Sequence, residues 1–277
     1  MIPSLLLATA ALSVFPQAVE REDPARAVAQ IEQALAAGPA PAAEALEKSG
    51  RVADPRVIKA VAAALREKDL GVRKAALLAL RYNPDKSAVT ELLRVKSDKS
   101  IIEDVDLGPV FYYALGQHAD ARALPFLIAN LHVVRRRDKI LAARVHALGR
   151  MRSNAAVQAL IKLSRSGRKV GGIRDDISLA LTALTGQEAK GRGGWSAWWN
   201  DNKGSFQVHK KEPPLPAKPA RTWQRLWQVP EAGASKKPAD QRKGKDKRNK
   251  GAKPSGSPPD AKGASGESKK MPPGGAP

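Results

Sequence analysis

The chain has 277 residues, no cysteine and a formal net charge of +21. The lack of cysteine excludes disulfides, thiolate metal sites and a cysteine nucleophile. Composition also divides the chain, because residues 203–277 hold 18 Lys and Arg against 6 Asp and Glu and are rich in Pro and Gly. A segment so poor in large apolar residues cannot repay the entropy cost of ordering, so we predict a disordered basic tail over residues 204–277.

An apolar run from Leu5 to Phe15 lies near the N-terminus. The run has the length of a signal-peptide core, is too short to span a bilayer, and is followed by the small residue Ala18. No Lys or Arg precedes it, so the alternative is a first apolar helix of the fold. We predict a signal peptide at residues 1–18 and an exported protein, periplasmic or extracellular, with a cytoplasmic protein as the alternative.

From residue 23 onward, apolar residues recur every three or four positions, which predicts helices. The first helix pair, after Asp23, is rich in Ala and irregular, as a terminal repeat should be. Asp54 and Pro55 begin the second pair as N-cap and first helical residue. The pair Ala-Leu then recurs at intervals of 35, 33 and 36 residues: Ala79-Leu80, Ala114-Leu115, Ala147-Leu148 and Ala183-Leu184. A second apolar series runs out of phase with it: Val57, Val89, Leu124 and Val157.

Two interleaved series with one common period describe a repeated pair of helices. A single pair cannot bury its apolar face alone, but stacked pairs share a continuous core. We therefore predict an all-α fold, an α-solenoid of about five helix pairs over residues 23–203, without β-sheet. In this register Leu148 faces the shared core, and residues 97–108 form a long connection.

The second helix pair has a Pro early in its first helix, followed by Asp, Val-Arg and Ala-x-x-Ala-Leu: Pro55, Asp69, Val72-Arg73, Ala76 and Ala79-Leu80. This pattern resembles the HEAT-repeat family, including the HEAT-like repeats first described in phycobilisome lyases. The fifth pair repeats part of it with Ile173-Arg174. The resemblance extends over residues 54–187 and implies an α-solenoid. It says little about activity, because a fold does not fix a function.

Three tryptophans follow the last predicted repeat: Trp195, Trp198 and Trp199. Together with the preceding residues 184–187, they resemble the closing element of HEAT-like proteins exported by bacteria such as planctomycetes. Their position favours a cap on the open end of the array. The alternative is an aromatic platform for sugars or bases.

Trp223 and Trp227 lie one helical turn apart in the segment 221–229, between two Pro-rich stretches. So short a segment cannot hold a helix without a partner. Two interpretations remain open. The segment docks in a groove of another molecule or at a lipid interface, or it folds back as a strap onto its own solenoid.

A dense run of positive charge follows, with two Asp and no aromatic residue: Lys236, Lys237, Arg242, Lys243, Lys245, Lys247, Arg248, Lys250 and Lys253. Such a run binds anionic lipid, nucleic acid or another anionic polymer through counterion release, without reading sequence. The alternative is a solubilising tail with no dedicated partner. Arg135, Arg136 and Arg137, in the turn of the fourth pair, are further candidates for polyanion binding or ordinary solvated charges.

No residue pattern indicates chemistry. The four histidines do not stand at metal-binding spacings, and no nucleophile elbow is present, so we predict no catalytic, cofactor or metal site. The leading expectation is a non-enzymatic scaffold outside the cytoplasm that binds a protein partner through the solenoid surface and a polyanion through the tail. The alternatives are a nucleic-acid-binding protein or a DNA glycosylase of HEAT-like fold, and a protein similar to bilin lyases.

Overall fold

The computed structural model describes residues 23–131, 138–166, 172–188 and 194–230, and every regular element within them is helical. The prediction of an all-α chain is therefore confirmed for these residues. Their thirteen α-helices are α1 Pro24–Ala37, α2 Pro39–Ser49, α3 Pro55–Ala63, α4 Leu70–Tyr82, α5 Ser87–Arg94, α6 Lys99–Ile102, α7 Leu107–His118, α8 Leu124–Ile128, α9 Asp138–Arg150, α10 Asn154–Ser164, α11 Arg174–Thr185, α12 Gly194–Asn202 and α13 Ala217–Trp227.

Short polar side chains begin several of these helices. The side chain of Asp54 accepts a hydrogen bond from the Arg56 amide, and Pro55 occupies the first helical position, as the sequence predicts. Asp69 caps α4 through the Val72 amide in the same manner. Each cap satisfies one of the amides that a helix leaves free at its first turn.

The helices pack in a regular order. In what we call the second-helix row, α2, α4, α7, α9 and α11 each contact the next member. Alongside that row, α1, α3 and α5 contact one another in sequence, and α10 contacts both α8 and α12. Several helices also contact the next one in the chain, among them α1 with α2, α3 with α4 and α9 with α10.

One apolar core runs through the rows, from Ala27 in α1 to Trp199 in α12. The residues of all four Ala-Leu pairs are buried in the structure, and Leu148 is fully buried. Burial of both residues at each recurrence explains why the sequence repeats them, since close helix packing needs a small residue beside a large one.

Two sequence predictions need correction. The segment 97–108 is not a plain connection, because it contains the short helix α6, begun by Asp98. Residues 204–230 do not belong to a disordered tail, because they include α13 and pack on the second-helix row. Although these residues are rich in Pro, they include two tryptophans, and the burial of those side chains offsets the entropy cost of ordering the segment. All described residues belong to one compact unit.

Candidate functional site

Two glycines create spaces on the second-helix row. The residues that follow the four Ala-Leu pairs differ in size: Arg81, Gly116, Gly149 and Thr185. A Cβ atom at Gly116 would lie 2.5 Å from Cη2 of Trp227, and one at Gly149 would lie 2.7 Å from Cη2 of Trp223. Glycine therefore permits both indoles to approach the helix backbone closely. We call the surface formed by Arg81, Gly116, Gly149 and Ala183 the strap groove.

The occupant of the groove is the chain's own C-terminal segment, residues 204–230, which we call the strap. Its helix α13 buries Trp223 and Trp227, whose exposed fractions are 2% and 8%, and exposes Arg221 and Arg225 on the other side. The two indoles meet edge to face at 5.5 Å between ring centroids, and Trp227 meets Tyr113 at 5.7 Å. Of the two interpretations of this tryptophan pair, the structure shows the strap on its own array.

The extended part of the strap is held through its backbone. Arg152 donates from Nε to the His209 carbonyl at 2.9 Å and from Nη2 to the Lys211 carbonyl at 3.1 Å. Asn154 accepts from the Val208 amide at 2.9 Å through Oδ1 and donates to the Phe206 carbonyl at 3.1 Å through Nδ2. These bonds fix the path of the strap but depend little on its side chains.

The C-terminal end of α13 is held by donors from the earlier repeats. Arg81 donates from Nη2 to the carbonyl of Leu226, and Gln117 donates to the carbonyl of Trp227 at 3.3 Å. Beyond the helix, Arg51 donates to the carbonyl of Pro230 at 2.7 Å. The last carbonyls of a helix have no partner within it and carry partial negative charge, so cationic donors suit this end.

Arg81 is unusual for a cation because its exposed fraction is only 9%. Its guanidinium lies 5.0 Å from the ring centroid of Tyr82, 5.1 Å from that of Tyr113 and 5.9 Å from that of Trp227. Burial lowers the pKa of Arg81, although an arginine starts so high that it stays charged. Within the described residues, no carboxylate pairs with this buried cation.

A polar link joins three helices below the strap. The Tyr113 hydroxyl lies 3.0 Å from Nδ1 of His146, and Nε2 of His146 lies 3.0 Å from Oδ1 of Asp176. Nδ1 accepts from the Tyr113 hydroxyl when it carries no proton, whereas Nε2, although close to the carboxylate, is not aligned for a hydrogen bond with it. Burial raises the pKa of the Tyr113 hydroxyl, so the tyrosine keeps its proton at neutral pH. These side chains bring polar groups of α7, α9 and α11 together under Trp223.

The docked strap leaves several buried polar atoms unsatisfied. Five atoms at this interface have no hydrogen-bond partner: Arg81 Nε, Gln117 Oε1, Arg150 Nε, Trp223 Nε1 and Trp227 Nε1. Each such atom costs about 1–3 kcal/mol relative to its hydrated state. The penalty offsets part of the gain from burying two indoles, so the strap is held less firmly than its apolar contacts alone imply.

The three tryptophans after the last repeat lie on α12, which packs against α10. Trp195 and Trp199 are buried within the main core, and Trp195 donates to the Ser178 hydroxyl at 3.0 Å. Trp198 packs on Phe206 of the strap with 5.1 Å between ring centroids. These indoles extend the main core into α12, and Trp198 connects it to the strap.

The remaining predicted site residues lie outside the described residues. They comprise the polyanion candidates of the tail and of the fourth turn: Lys236, Lys237, Arg242, Lys243, Lys245, Lys247, Arg248, Lys250, Lys253, Arg135, Arg136 and Arg137. Among the described residues, no group of three or more His, Asp or Glu is placed to hold a metal ion. In the same part of the chain, no helix combines the length and apolar character needed to cross a membrane.

A comparison with models of known protein families finds no match, and a comparison with curated proteins finds none either.

The sequence indicates the tryptophan pair, but it does not indicate the strap groove on which the pair docks. Gly116 and Gly149 are helical glycines at one register position of consecutive repeats, and that coincidence is the available signal. Arg152 and Asn154 are missed because their partners are backbone atoms, which any sequence supplies.

Proposed function

We propose that this protein is a non-enzymatic binding scaffold, an α-solenoid of HEAT-like type, whose partner site is the strap groove. The observation that supports the proposal is that the groove already holds a helix, with two indoles seated over Gly116 and Gly149. A helix lying in a groove through aromatic anchors one turn apart is a common mode of protein recognition.

In this proposal the strap is an internal competitor. A tethered segment faces its site at a millimolar effective concentration, so a partner in trans must bind more tightly than the strap or arrive when the strap is displaced. The five unsatisfied atoms weaken the strap and make such exchange feasible. The groove is therefore covered when no partner is present, which keeps its apolar surface out of water.

The proposal assigns the polyanion role to the tail beyond the strap. Residues 236–253 carry nine Lys and Arg against two Asp, enough to concentrate the protein near an anionic polymer or lipid surface. The apolar run Leu5–Phe15 puts this activity outside the cytoplasm in the same proposal. Deletion of residues 231–277 is expected to remove most of the salt dependence of binding to heparin, while an unchanged slope would refute the role of the tail.

The test of the groove uses the full chain with Trp223→Ala and Trp227→Ala, which empties it. A fluorescently labelled peptide of residues 213–230 is titrated in trans and followed by anisotropy. We expect saturable binding to this variant and at least about tenfold weaker binding to the wild-type chain, because the tethered strap competes.

The matched control is Gln224→Ala with Gln228→Ala, two exposed residues of the strap at the same spacing. This variant keeps its strap docked and should bind the peptide as weakly as the wild type does. A vacated chain that fails to bind the peptide, while retaining wild-type helicity by circular dichroism, would contradict the proposed function.

A further inference from the structure

The charge of the strap does not complement the charge of the groove at the C-terminal end of α13. Helix α13 contains three basic residues and no acidic one: Lys218, Arg221 and Arg225. At its first turn this suits the surroundings, since Lys218 shares a cavity of about 540 Å³ with Asp175 and Glu188. At its last turn the array instead presents arginines, and α13 offers them only backbone carbonyls and the Trp227 ring.

Three arginines converge where α13 ends. Arg51 and Arg81 donate to strap carbonyls, and the Arg150 guanidinium lies 5.3 Å from the Trp227 ring centroid. Arg150 is paired with Glu212 at 3.2 Å. Arg81 is the member of this set that is nine-tenths buried and meets only neutral groups in the docked strap.

The Arg81 guanidinium can also donate further hydrogen bonds. Its Nη2 bonds to the Leu226 carbonyl, whereas its Nε has no partner. A carboxylate can take two parallel bonds from one guanidinium, and such charge-assisted pairs are stronger than bonds to a neutral carbonyl. Within the described strap, the residues that follow Trp227 are Gln228, Val229 and Pro230 and supply no carboxylate; Glu231, next in the sequence, lies outside the described residues.

We infer that the strap groove is built for an amphipathic helix of a partner protein that carries two large aromatic residues one turn apart, followed directly by acidic residues. The aromatic residues take the spaces over Gly116 and Gly149, and the carboxylates pair with Arg81 and its neighbours. The inference rests on the proposed function and deepens it, because it names the chemistry of the partner. The chain's own strap is then a weaker occupant that the acidic helix displaces.

The experiment compares three labelled peptides on the full chain carrying Trp223→Ala and Trp227→Ala. One has the native sequence of residues 213–230. The second has Gln228→Glu and Val229→Glu, which places carboxylates just after the second tryptophan. The third has Ala217→Glu and Arg221→Gln, two exposed positions in the first half of α13, and thus the same net charge without carboxylates after the second tryptophan.

We expect the second peptide to bind about tenfold more tightly than the native one at low salt, because its carboxylates pair with the Arg81 guanidinium, and the third to show no such gain. Adding Arg81→Gln to the vacated chain should abolish the gain, and Arg81→Lys, which keeps the charge but loses the paired geometry, should retain only part of it. Lys59→Gln, which removes an exposed cation elsewhere, should leave the gain intact.

Equal binding of all three peptides, or an equal gain for both acidic peptides, would overturn the inference and leave the groove's role as a helix site standing. A gain that survives both Arg81 variants would overturn it as well. Failure of every peptide to bind would remove the proposed function itself, so the two failures are distinguishable.

Discussion

The helix array and the strap are held together by different kinds of contact. In the array, apolar side chains from successive repeats fill one continuous core, and Leu80, Leu115, Leu148 and Leu184 are all fully buried. The strap is held by two indoles, by Phe206 and Val208 against the core, and by bonds to its backbone, while five unsatisfied polar atoms weaken its docking. The array therefore has its own core, and α13 is a separable occupant of its surface.

The largest effect is expected from a charge in the array core. Leu148→Asp places a carboxylate among fully buried apolar neighbours without a partner, which costs several kcal/mol and approaches the whole stability of a typical domain. The variant should lose cooperative thermal unfolding. Leu70→Asp, at an exposed position that begins α4, is the matched control and should melt as the wild type does. Wild-type melting of the Leu148 variant would break the assigned register.

Removal of the strap anchors should separate the two regions. With Trp223→Ala and Trp227→Ala, α13 loses its buried apolar surface, so its amides should exchange rapidly with solvent. The amides of α7 and α9 should keep most of their protection, because the core of the array does not include α13. Hydrogen exchange followed by mass spectrometry measures the amide protection of both regions. Equal loss of protection in both regions would show that the strap is part of the core.

A smaller effect is expected where a single side chain of the array binds the backbone of the strap. Asn154→Ala removes the acceptor of the Val208 amide and the donor to the Phe206 carbonyl. We expect exchange of the Val208 amide to rise by about fivefold, since a net hydrogen bond contributes roughly 1 kcal/mol. Gln158→Ala, an exposed change on the same helix α10, should leave that rate unchanged.

The smallest effect concerns pH and belongs to the array. Burial lowers the pKa of His118, whose Nε2 lies 2.8 Å from the Leu80 carbonyl, below its ordinary value. A depressed histidine pKa contributes stability that is present above about pH 6.5 and lost as the pH falls toward the folded pKa. The melting temperature should therefore fall between about pH 6.5 and 5, and less so in His118→Gln. His209→Gln, at an exposed residue, should follow the wild type.

Sequence patterns predict the array much better than the site. The recurring Ala-Leu pairs are direct consequences of core packing, so their spacing predicts the helices and the burial of Leu148. Composition does not predict the docked strap. Its many Pro and Lys residues indicate disorder, although two tryptophans are enough to dock it. The strap groove is not predicted for another reason. It is open over Gly116 and Gly149 because these residues have no side chain, and the residues that anchor the strap bind its backbone atoms.

If α13 is a separable occupant, it opens while the array stays folded. Native-state hydrogen exchange of the wild-type chain, measured at increasing urea below the unfolding transition, tests this. We expect amides of α13 to exchange through a small opening with weak urea dependence, at a lower free energy than amides of α7 and α9. One common opening free energy and one common urea dependence for all three helices would contradict it.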